Sequence, residues 1–499
     1  MSVSKLPFDN KKYLKLQAGK IMERMEKFGG KLYLEFGGKL FDDTHASRVL
    51  PGFEPDGKAR MLMRLKDEVE IIVVISAWDI EKSKRRGETG ITYDQEALRL
   101  IDAFRTIGLH VGSVVVTHYE GQDAAKQFVK RLGKQEIRTY RHYPIEDYPN
   151  NVPLILSDGG FGKNEYIETG RRIAVVTAPG GGSGKLAVCL SQLYHEHQRG
   201  NKASYAKYET FPVWDLPLEH PVNLAYEAAT ADLNDTNMLD AYHQVAYNET
   251  AVSYNRDMEA FPVLLGMFQN ILGSSPYKSP TDMGVNMIRR CITDDEAVRQ
   301  ASKQEIIRRY YEALSQWRQG FSEQDAAARL ELLMGKADVT VEDRPVVTKA
   351  LARSRQTGGE PAVAIELPDG QIVTGKTTPL LGAASAALLN TLKKLGDIPK
   401  NVRLISPDII EPIQHLKTNH MGNRNPRLHT DEVLIALAIC AADKENPHAE
   451  TAMEGLEALK GCEAHSTVLL SRVDEQTLQR LGINLTCEPM YQTKKLFHK

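Results

Sequence analysis

One segment of the chain combines a buried-strand pattern, a glycine cluster and a helical pattern within residues 173–193. Ile173–Thr177 is apolar and largely β-branched, and the apolar spacing from Leu186 to Leu193 is that of a helix. Between them, backbone N–H groups of a glycine loop can turn inward, while the helix N-terminus and a lysine add positive potential. The segment therefore predicts a strand, a phosphate-binding loop and a helix. The predicted binding residues are Gly180, Gly181, Gly182, Ser183, Gly184, Lys185 and Leu186.

The loop departs from the phosphate-loop pattern G-x-x-x-x-G-K-[ST] at two positions. Pro179 occupies the place of the first glycine, and Leu186 occupies the place of the hydroxyl residue that normally ligates magnesium. Ser183 or a downstream carboxylate could substitute for that hydroxyl. The pattern favours phosphate binding over a plain glycine turn, but it leaves open whether phosphate is transferred or only held, with Lys185 as the catalytic candidate.

A second segment, Gly370–Thr377, matches the full phosphate-loop pattern but has the context of a hairpin. Ala362–Leu367 is apolar, Asp369 and Gly370 form a strong turn signal, and an extended Gln-Ile-Val-Thr run follows. We therefore predict a β-hairpin there and no phosphate site.

The composition is that of a soluble globular protein and excludes several partners. The chain has 499 residues, a formal net charge of -2, and 42% hydrophobic residues. This balance gives no bulk attraction to nucleic acid or to an anionic membrane, and no apolar run approaches a membrane span. Five scattered cysteines without a C-x-x-C pair, and an N-terminus without an apolar core, predict a cytoplasmic protein.

The order of strand and helix patterns predicts an α/β fold in three parts. Residues 1–222 alternate strands and helices, which is typical of a parallel sheet covered on both faces, with ligands at the carboxyl ends of the strands. Residues 223–340 are predicted to be mainly helical, and residues 341–499 to form a smaller α/β subdomain. In that subdomain we expect strands at 402–406 and 466–471 and helices at 383–395 and 431–442.

Charged residues near predicted strand ends supply further candidates for chemistry. Asp79 and Asp215 each close a strand-like run, where a ligand for a metal or its water would lie beside a phosphate loop. Arg256 could neutralise developing phosphate charge. A glycine-started loop after the first strand gathers groups suited to an anionic substrate, namely Lys39, His45, Ser47 and Arg48.

The histidine patterns do not predict a zinc site. His195 and His197 are too close in sequence for the H-E-x-x-H arrangement, so they do not share a helical face. His415, His420 and His429 lack carboxylate or cysteine partners at convincing spacing, which favours a polar loop. No metal ligands are therefore assigned.

Several segments together resemble a bacterial family known as uncharacterised protein family 0371. The segments are EFGGKLFDDTHASRVLPGF, VVTAPGGGSGKLAVCLSQLYHEH, NLAYEAATADLND, YNRDMEAFPVL, TGKTTPLLGAASAALLNTLK and LTCEP. The resemblance implies a phosphate-loop NTPase-like N-terminal region, a helical insert and a C-terminal α/β subdomain with deaminase-like layers. The zinc motif of deaminases is missing after the predicted hairpin, so neither deaminase nor zinc protease activity is implied.

Three functions remain open on these observations. The first is an ATP-dependent kinase or ligase for a small anionic metabolite, using ATP or another nucleotide with magnesium. The second is a nucleotide-responsive regulatory or binding protein without turnover, which Leu186 favours. The third is a phosphate loop that binds some other phosphorylated metabolite or cofactor. In each case we expect a homo-oligomer, with the C-terminal subdomain in a structural or oligomer-forming role.

Overall fold

The structure is a computed structural model that describes residues 6–85, 90–442 and 446–493. The chain divides into two compact units, Met1–Ser302 and Lys303–Lys499. No helix within the described ranges is both long and apolar enough to cross a membrane.

The first unit is built on a seven-stranded parallel sheet. Its strands are β1 Lys31–Phe36, β2 Val69–Ser76, β3 His110–Thr117, β4 Arg138–Arg141, β5 Ile173–Thr177, β6 Ala203–Tyr208 and β9 Gly284–Val285. Two further strands, β7 Asn237–Leu239 and β8 Val252–Tyr254, form a separate antiparallel pair. The order in the sheet is β4-β3-β2-β5-β1-β6-β9, and every neighbouring pair is parallel. The predicted parallel α/β fold is thus confirmed.

Helices connect these strands along most of the chain. They are α1 Asn10–Phe28, α2 Thr44–Val49, α3 Gly57–Met63, α4 Ala77–Glu81, α5 Tyr93–Thr106, α6 Asp123–Lys134, α7 Val152–Ile155, α8 Lys185–Gln198, α9 Pro221–Ala229, α10 Ala241–Tyr247, α11 Asn255–Leu272 and α12 Pro280–Met283. The boundary between the units falls within α13 Asp295–Gln319. Strands and helices alternate through most of residues 1–222, as predicted.

Burial explains why the central strands read as continuous apolar runs. Every residue of β2 and of β5 is buried, because helices cover both faces of a parallel sheet. On one face, Tyr33, Val176 and Tyr205 pack with Leu190 of α8 and Phe268 of α11.

The direction of the connections fixes which face each helix covers. From β1 the chain moves toward β2, β3 and β4, whereas from β5 it moves back toward β6 and β9. Because parallel connections are right-handed, the two directions place their helices on opposite faces. The strand β5 lies between β1 and β2 in the sheet. The connections that follow β1 and β2 cover one face of the sheet, and the connection that follows β5 covers the opposite face.

The second unit contains a four-stranded mixed sheet with helices. The elements are α14 Asp325–Lys336, α15 Pro345–Gln356, β10 Ala362–Glu366, β11 Ile372–Lys376, α16 Ala383–Leu395, α17 Pro407–His415, α18 Thr430–Ala441, α19 Pro447–Glu454, β12 Glu463–Ser466, α20 Arg472–Arg480 and β13 Asn484–Cys487. The sheet order is β11-β10-β12-β13. β10 and β11 form an antiparallel pair from Ala362↔Lys376 to Glu366↔Ile372, which confirms the hairpin.

Two strand predictions in this unit are wrong. Residues 402–406 form no strand, and Leu404 and Ile405 instead join the core that Leu388 and Leu437 help to form. Their apolar character therefore reflects burial without β pairing. The strand expected at 466–471 lies earlier, at Glu463–Ser466, because that segment pairs with both β10 and β13.

Candidate functional site

The carboxyl end of β5 lies at a topological switch point of the sheet. The connections from β1 and β2, on either side of it, leave on one face, and the connection from β5 leaves on the other. Open α/β sheets bind their ligands in the crevice that such a divergence creates. The glycine loop, which follows β5 directly, borders this crevice.

The glycine loop leads directly into the N-terminus of α8, which has no side-chain cap. Gly182 and Gly184 have φ of 73° and 85°, in the left-handed region that favours glycine. Gly184 is the N-cap of α8, and its carbonyl accepts the first helical bond, from Val188. Since glycine has no side chain, no side-chain group of the cap residue bonds the first amides of α8.

Ser183 adds a buried hydroxyl to the loop. The residue is 1% exposed, and among the residues that the structure describes no hydrogen-bond partner reaches its Oγ. The Thr177 hydroxyl, at the end of β5, is in the same situation. Because buried hydroxyl groups are normally bonded, these two hydroxyls, on the loop and its strand, are free to bond a water or ligand oxygen.

The strand β3, which lies two positions from β5 in the sheet, holds the loop through a side chain. The Thr117 hydroxyl, at the end of β3, donates a hydrogen bond of 2.7 Å to the Ser183 carbonyl. A Cβ built on Gly184 would lie 3.4 Å from the Thr117 methyl carbon, so loop and strand are also in van der Waals contact. The loop conformation is therefore coupled to the carboxyl end of β3.

The other end of the loop packs under the start of α5. A Cβ on Gly180 would clash with the Tyr93 phenol, so a larger residue there would require the Tyr93 side chain to shift. The Lys84 ammonium lies 5.0 Å from the centre of the Tyr93 ring and 3.3 Å from a carboxylate oxygen of Asp79. Asp79, in the first turn of α4, thus reaches the loop region through Lys84 and Tyr93.

A histidine at the end of β3 joins this side of the crevice. His118 has φ of 50°, stacks on Trp78 at 4.1 Å between ring centroids, and contacts the Ser76 hydroxyl at 3.0 Å. Burial lowers its pKa, and the charges of Asp79 and Glu120 oppose that shift. The neutral form of this imidazole is therefore favoured.

On the other side of β5, three charged residues at or just after the ends of β1 and β6 lie with a fourth, Asp257 of α11. Glu35 is the register partner of Lys207, whose ammonium forms ion pairs with Glu209 and Asp257. The Tyr205 hydroxyl donates to Glu35 at 2.8 Å. Glu35, Lys207 and Glu209 were missed by sequence reasoning; the available signal was that the charged residues Glu35 and Lys207 interrupt otherwise uncharged strand patterns.

The predicted anion-binding residues lie after β1, on a loop and a short helix. Lys39 is in the connection after β1, while His45, Ser47 and Arg48 are on α2, where an expected loop turned out to be helical. Asp43 begins that helix by accepting the Ala46 N–H and pairs with the buried Lys58 at 2.6 Å. The ion pair with Lys58 therefore holds Asp43 in position as the N-cap of α2.

His45 faces an aromatic wall and Ser47 bonds within its own helix. The His45 ring lies 5.4 Å from that of Phe211 and 6.2 Å from that of Tyr226, measured between centroids. The Ser47 hydroxyl donates to the Thr44 carbonyl at 3.0 Å.

The remaining predicted residues are distributed more widely. β6 ends at Tyr208, so Asp215 follows it within a connection, where Arg289 donates to its carbonyl. Burial raises the pKa of the Asp215 carboxyl, and Arg289 opposes the shift. Arg256 is in the first turn of α11 and pairs with the buried Asp235.

Two observations bear on cofactors at this site. Leu186 packs against the hydrophobic core beneath α8, so its side chain is part of the fold. Within the described ranges, no group of three or more His, Cys, Asp or Glu side chains is arranged to hold a metal ion. The groups available to a nucleotide phosphate are thus the loop amides, the Ser183 hydroxyl and Lys185.

The fold and the loop together define the class: a doubly wound α/β protein with a glycine loop at the switch point of its sheet. Two descriptions match the sequence, "Domain of unknown function DUF1846, N-terminal" over residues 6–338 and "Domain of unknown function DUF1846, C-terminal" over residues 342–497. The chain therefore belongs to the DUF1846 family.

Curated relatives cover the whole chain. The "UPF0371 protein" of Streptococcus pneumoniae (strain JJA) and that of Streptococcus thermophilus (strain ATCC BAA-491 / LMD-9) are each 55% identical over 497 residues, which is 100% of this chain and of the relative. The resemblance to family 0371 that the sequence segments predicted is confirmed.

Proposed function

We propose that the first unit binds the phosphate groups of a nucleotide, ATP with magnesium or a related one, at residues 180–186. The observation that carries this proposal is the position of the loop: left-handed Gly182 and Gly184 directly precede α8 at the switch point of the sheet. A helix N-terminus whose amides are open to a ligand attracts anions through its N–H groups and its dipole.

The Ser183 hydroxyl supports this proposal independently of the helix end. It is buried and has no partner in the described part of the chain, which leaves a donor where a phosphate oxygen would lie. A hydrogen bond from this hydroxyl to a charged oxygen would contribute about 1.5–3 kcal/mol. Lys185, at the first position of α8, supplies the full positive charge.

For the reaction we propose an ATP-dependent kinase or ligase acting on a small anionic metabolite. Lys39, His45, Ser47 and Arg48, on the connection that leaves β1, would hold the substrate, and Asp79 would reach the nucleotide's magnesium through water. Asp215, whose carbonyl accepts from Arg289, and Arg256, which forms an ion pair with Asp235, have more distant roles in this scheme. The charged group at the ends of β1 and β6 favours chemistry over binding alone.

The alternative is a nucleotide-responsive binding protein without turnover. It is supported by Leu186, whose side chain packs in the core and supplies no metal ligand. In both schemes the first unit would be phosphate-loop NTPase-like. The second unit, with deaminase-like layers, would serve as a structural or homo-oligomer-forming part of a cytoplasmic protein.

Isothermal titration calorimetry on the full chain tests the proposal. ATP, ADP, GTP and pyrophosphate are titrated with and without magnesium into wild type, Lys185→Ala and the matched control Lys134→Ala, an exposed lysine at the end of α6. We expect binding by wild type and by the control, and at least a tenfold loss in Lys185→Ala. If no phosphate ligand binds, or if Lys185→Ala binds like wild type, the proposal is wrong.

A further inference from the structure

Four charged side chains meet where β1 and β6 end. Register pairs Glu35 of β1 with Lys207 of β6 on one side and with Val176 of β5 on the other. Since neighbouring strands are about 4.8 Å apart, Lys207 lies about 10 Å from the backbone of β5, whose end begins the glycine loop. The charged group therefore shares the carboxyl edge of the sheet with the loop.

The head groups of this cluster are bonded to each other and remain partly accessible. The Lys207 ammonium bonds Glu209 and Asp257, and the Tyr205 phenol bonds Glu35. The side chains of Lys207 and Glu209 are each 19% exposed, and that of Asp257 is 24% exposed. Each of these side chains therefore keeps some contact with solvent.

The cluster has three carboxyl groups and one amine. Because the amine cannot balance three negative charges, one carboxyl group retains its proton easily. Burial raises the pKa of Glu209 to about 7; Lys207 opposes this shift, and Asp257 and Glu35 add to it. Burial also favours neutral Lys207, but the charges of Asp257, Glu209 and Glu35 outweigh it and raise the pKa of the amine. Lys207 therefore stays charged while Glu209 exchanges a proton near neutrality.

A buried acceptor without a partner lies in the wall near Glu209. Asp235 is 6% exposed, and its Oδ1 has no hydrogen-bond partner within the described residues. Tyr226 is close enough to Glu209 and Asp235 for both charges to raise the pKa of its phenol, after the larger effect of burial. An incoming O–H group would satisfy the acceptor that the protein leaves open.

The cluster is also linked to the phosphate-binding lysine. The thiol of Cys189, one turn into α8, is affected by the charges of both Glu35 and Lys185, with burial the largest cause of its raised pKa. Glu35 and Lys185 are therefore both within electrostatic range of the same thiol. A phosphate bound by Lys185 would lie next to the strand that carries Glu35, with the Lys207 strand beyond it.

From this juxtaposition we propose that Glu209 is the general base that activates an alcohol group of a small acceptor for attack on the terminal phosphate of the nucleotide. A hydroxyl fits the cluster because the Lys207 ammonium disfavours a second cation, and the carboxylates disfavour an anionic nucleophile. The inference rests on the proposed nucleotide site and adds the acceptor side of the reaction.

In the proposed step the acceptor oxygen forms a bond to the terminal phosphorus as the bond to the bridging oxygen breaks. The electron pair of that broken bond leaves with the nucleoside diphosphate, and the hydroxyl proton passes to Glu209. Lys207 and Asp257 position the base. The products are the phosphorylated alcohol and the diphosphate, and no oxidant or reductant takes part.

Phosphate release from ATP, with water in place of the alcohol, tests the inference on the full chain with magnesium. We expect the wild-type rate to rise with pH with an apparent pKa near 7. Glu209→Gln should lower the rate by about 100-fold or more and abolish that rise, because a positioned base typically contributes 10²–10⁴-fold. ATP affinity should change less than twofold, and the exposed control Glu249→Gln should behave as wild type.

The outcomes separate this inference from the proposed function. If wild type does not bind ATP in calorimetry, the nucleotide site is wrong and the inference falls with it. If wild type binds ATP but releases no phosphate, or if Glu209→Gln keeps the wild-type rate and pH profile, only the general base is refuted. Should Glu209→Gln not fold, Glu209→Asp replaces it, with a reduced rate and a retained pH dependence expected.

Discussion

The Thr117 hydroxyl at the end of β3 donates a 2.7 Å hydrogen bond to the carbonyl of Ser183, in the glycine loop. The bond joins residues separated by 66 positions in sequence and crosses from one strand connection to another. It holds the peptide that precedes Gly184, where the first amides of α8 are presented. The loop is therefore shaped by the sheet as well as by its own glycines.

Replacing Thr117 with valine should loosen the loop without altering the apolar packing of β3. The Ser183 carbonyl would lose its donor, which costs about 1 kcal/mol of unfolding free energy and up to about 3 kcal/mol if the carbonyl stays buried. We expect a weaker affinity for nucleotide as well. Urea denaturation and calorimetry on the same preparations measure both quantities, and unchanged affinity would show that the bond does not shape the site.

Ser183→Ala should affect ligand binding but not stability. The hydroxyl has no partner in the described structure, so its removal should change the unfolding free energy by less than about 0.5 kcal/mol. Phosphate affinity should fall by about tenfold or more, as expected for a lost bond to a charged group.

The matched control for Ser183→Ala is Ser322→Ala in the second unit, where the hydroxyl also lacks a partner in the described residues. That variant should keep the wild-type affinity. Equal affinities for the two variants would argue against a ligand at Ser183.

The glycines of the loop should differ in their tolerance of a methyl group. Gly184 has φ of 85° and lies against Thr117, so Gly184→Ala should cost about 1–2 kcal/mol and abolish phosphate binding. At Gly181 no atom lies within 4 Å of an added Cβ, and its φ is not in the left-handed region. Gly181→Ala should therefore fold and bind as wild type, and a comparable loss in both variants would contradict this account of the loop.

Acid should destabilise the first unit through His142. Burial lowers the pKa of this histidine from 6.5 to about 3, so the folded state resists a proton that the unfolded chain takes up below pH 6.5. Stability from this group is thus complete above pH 6.5 and decreases as the pH falls toward 3, by about 2 kcal/mol between pH 8 and pH 5.

Urea denaturation at several pH values measures this contribution, with His142→Gln as the comparison. The variant should have a flatter pH dependence by about 2 kcal/mol over the same range. Parallel curves for the two proteins would mean that the neutral imidazole does not contribute to acid sensitivity.

The sequence was most informative where one contiguous segment determines the structure. The strand from Ile173 to Thr177, the loop and the helix from Lys185 follow from local pattern alone, as does the hairpin at Asp369 and Gly370. The local pattern failed at 402–406. An apolar run forms a strand only where another strand is free to pair with it, and the local sequence does not show whether such a partner exists.

The charged group beside the loop could not be assembled from sequence. Glu35, Lys207 and Asp257 come from distant positions in the chain, and only strand order and register bring them together. Sequence reasoning instead favoured Asp215, because it took the strand Ala203–Tyr208 to extend to that residue. The positions of strand ends, rather than the residue types themselves, limited the prediction of the site.

The most direct test of the central claim is a crystal structure of the full chain grown with ADP or a non-hydrolysable ATP analogue. The account predicts a phosphate group within about 2.7–3.2 Å of the backbone nitrogens of Gly182 to Lys185, with the Ser183 hydroxyl and the Lys185 ammonium turned toward it. A nucleotide bound elsewhere, or a loop without an anion at saturating ligand, would contradict it.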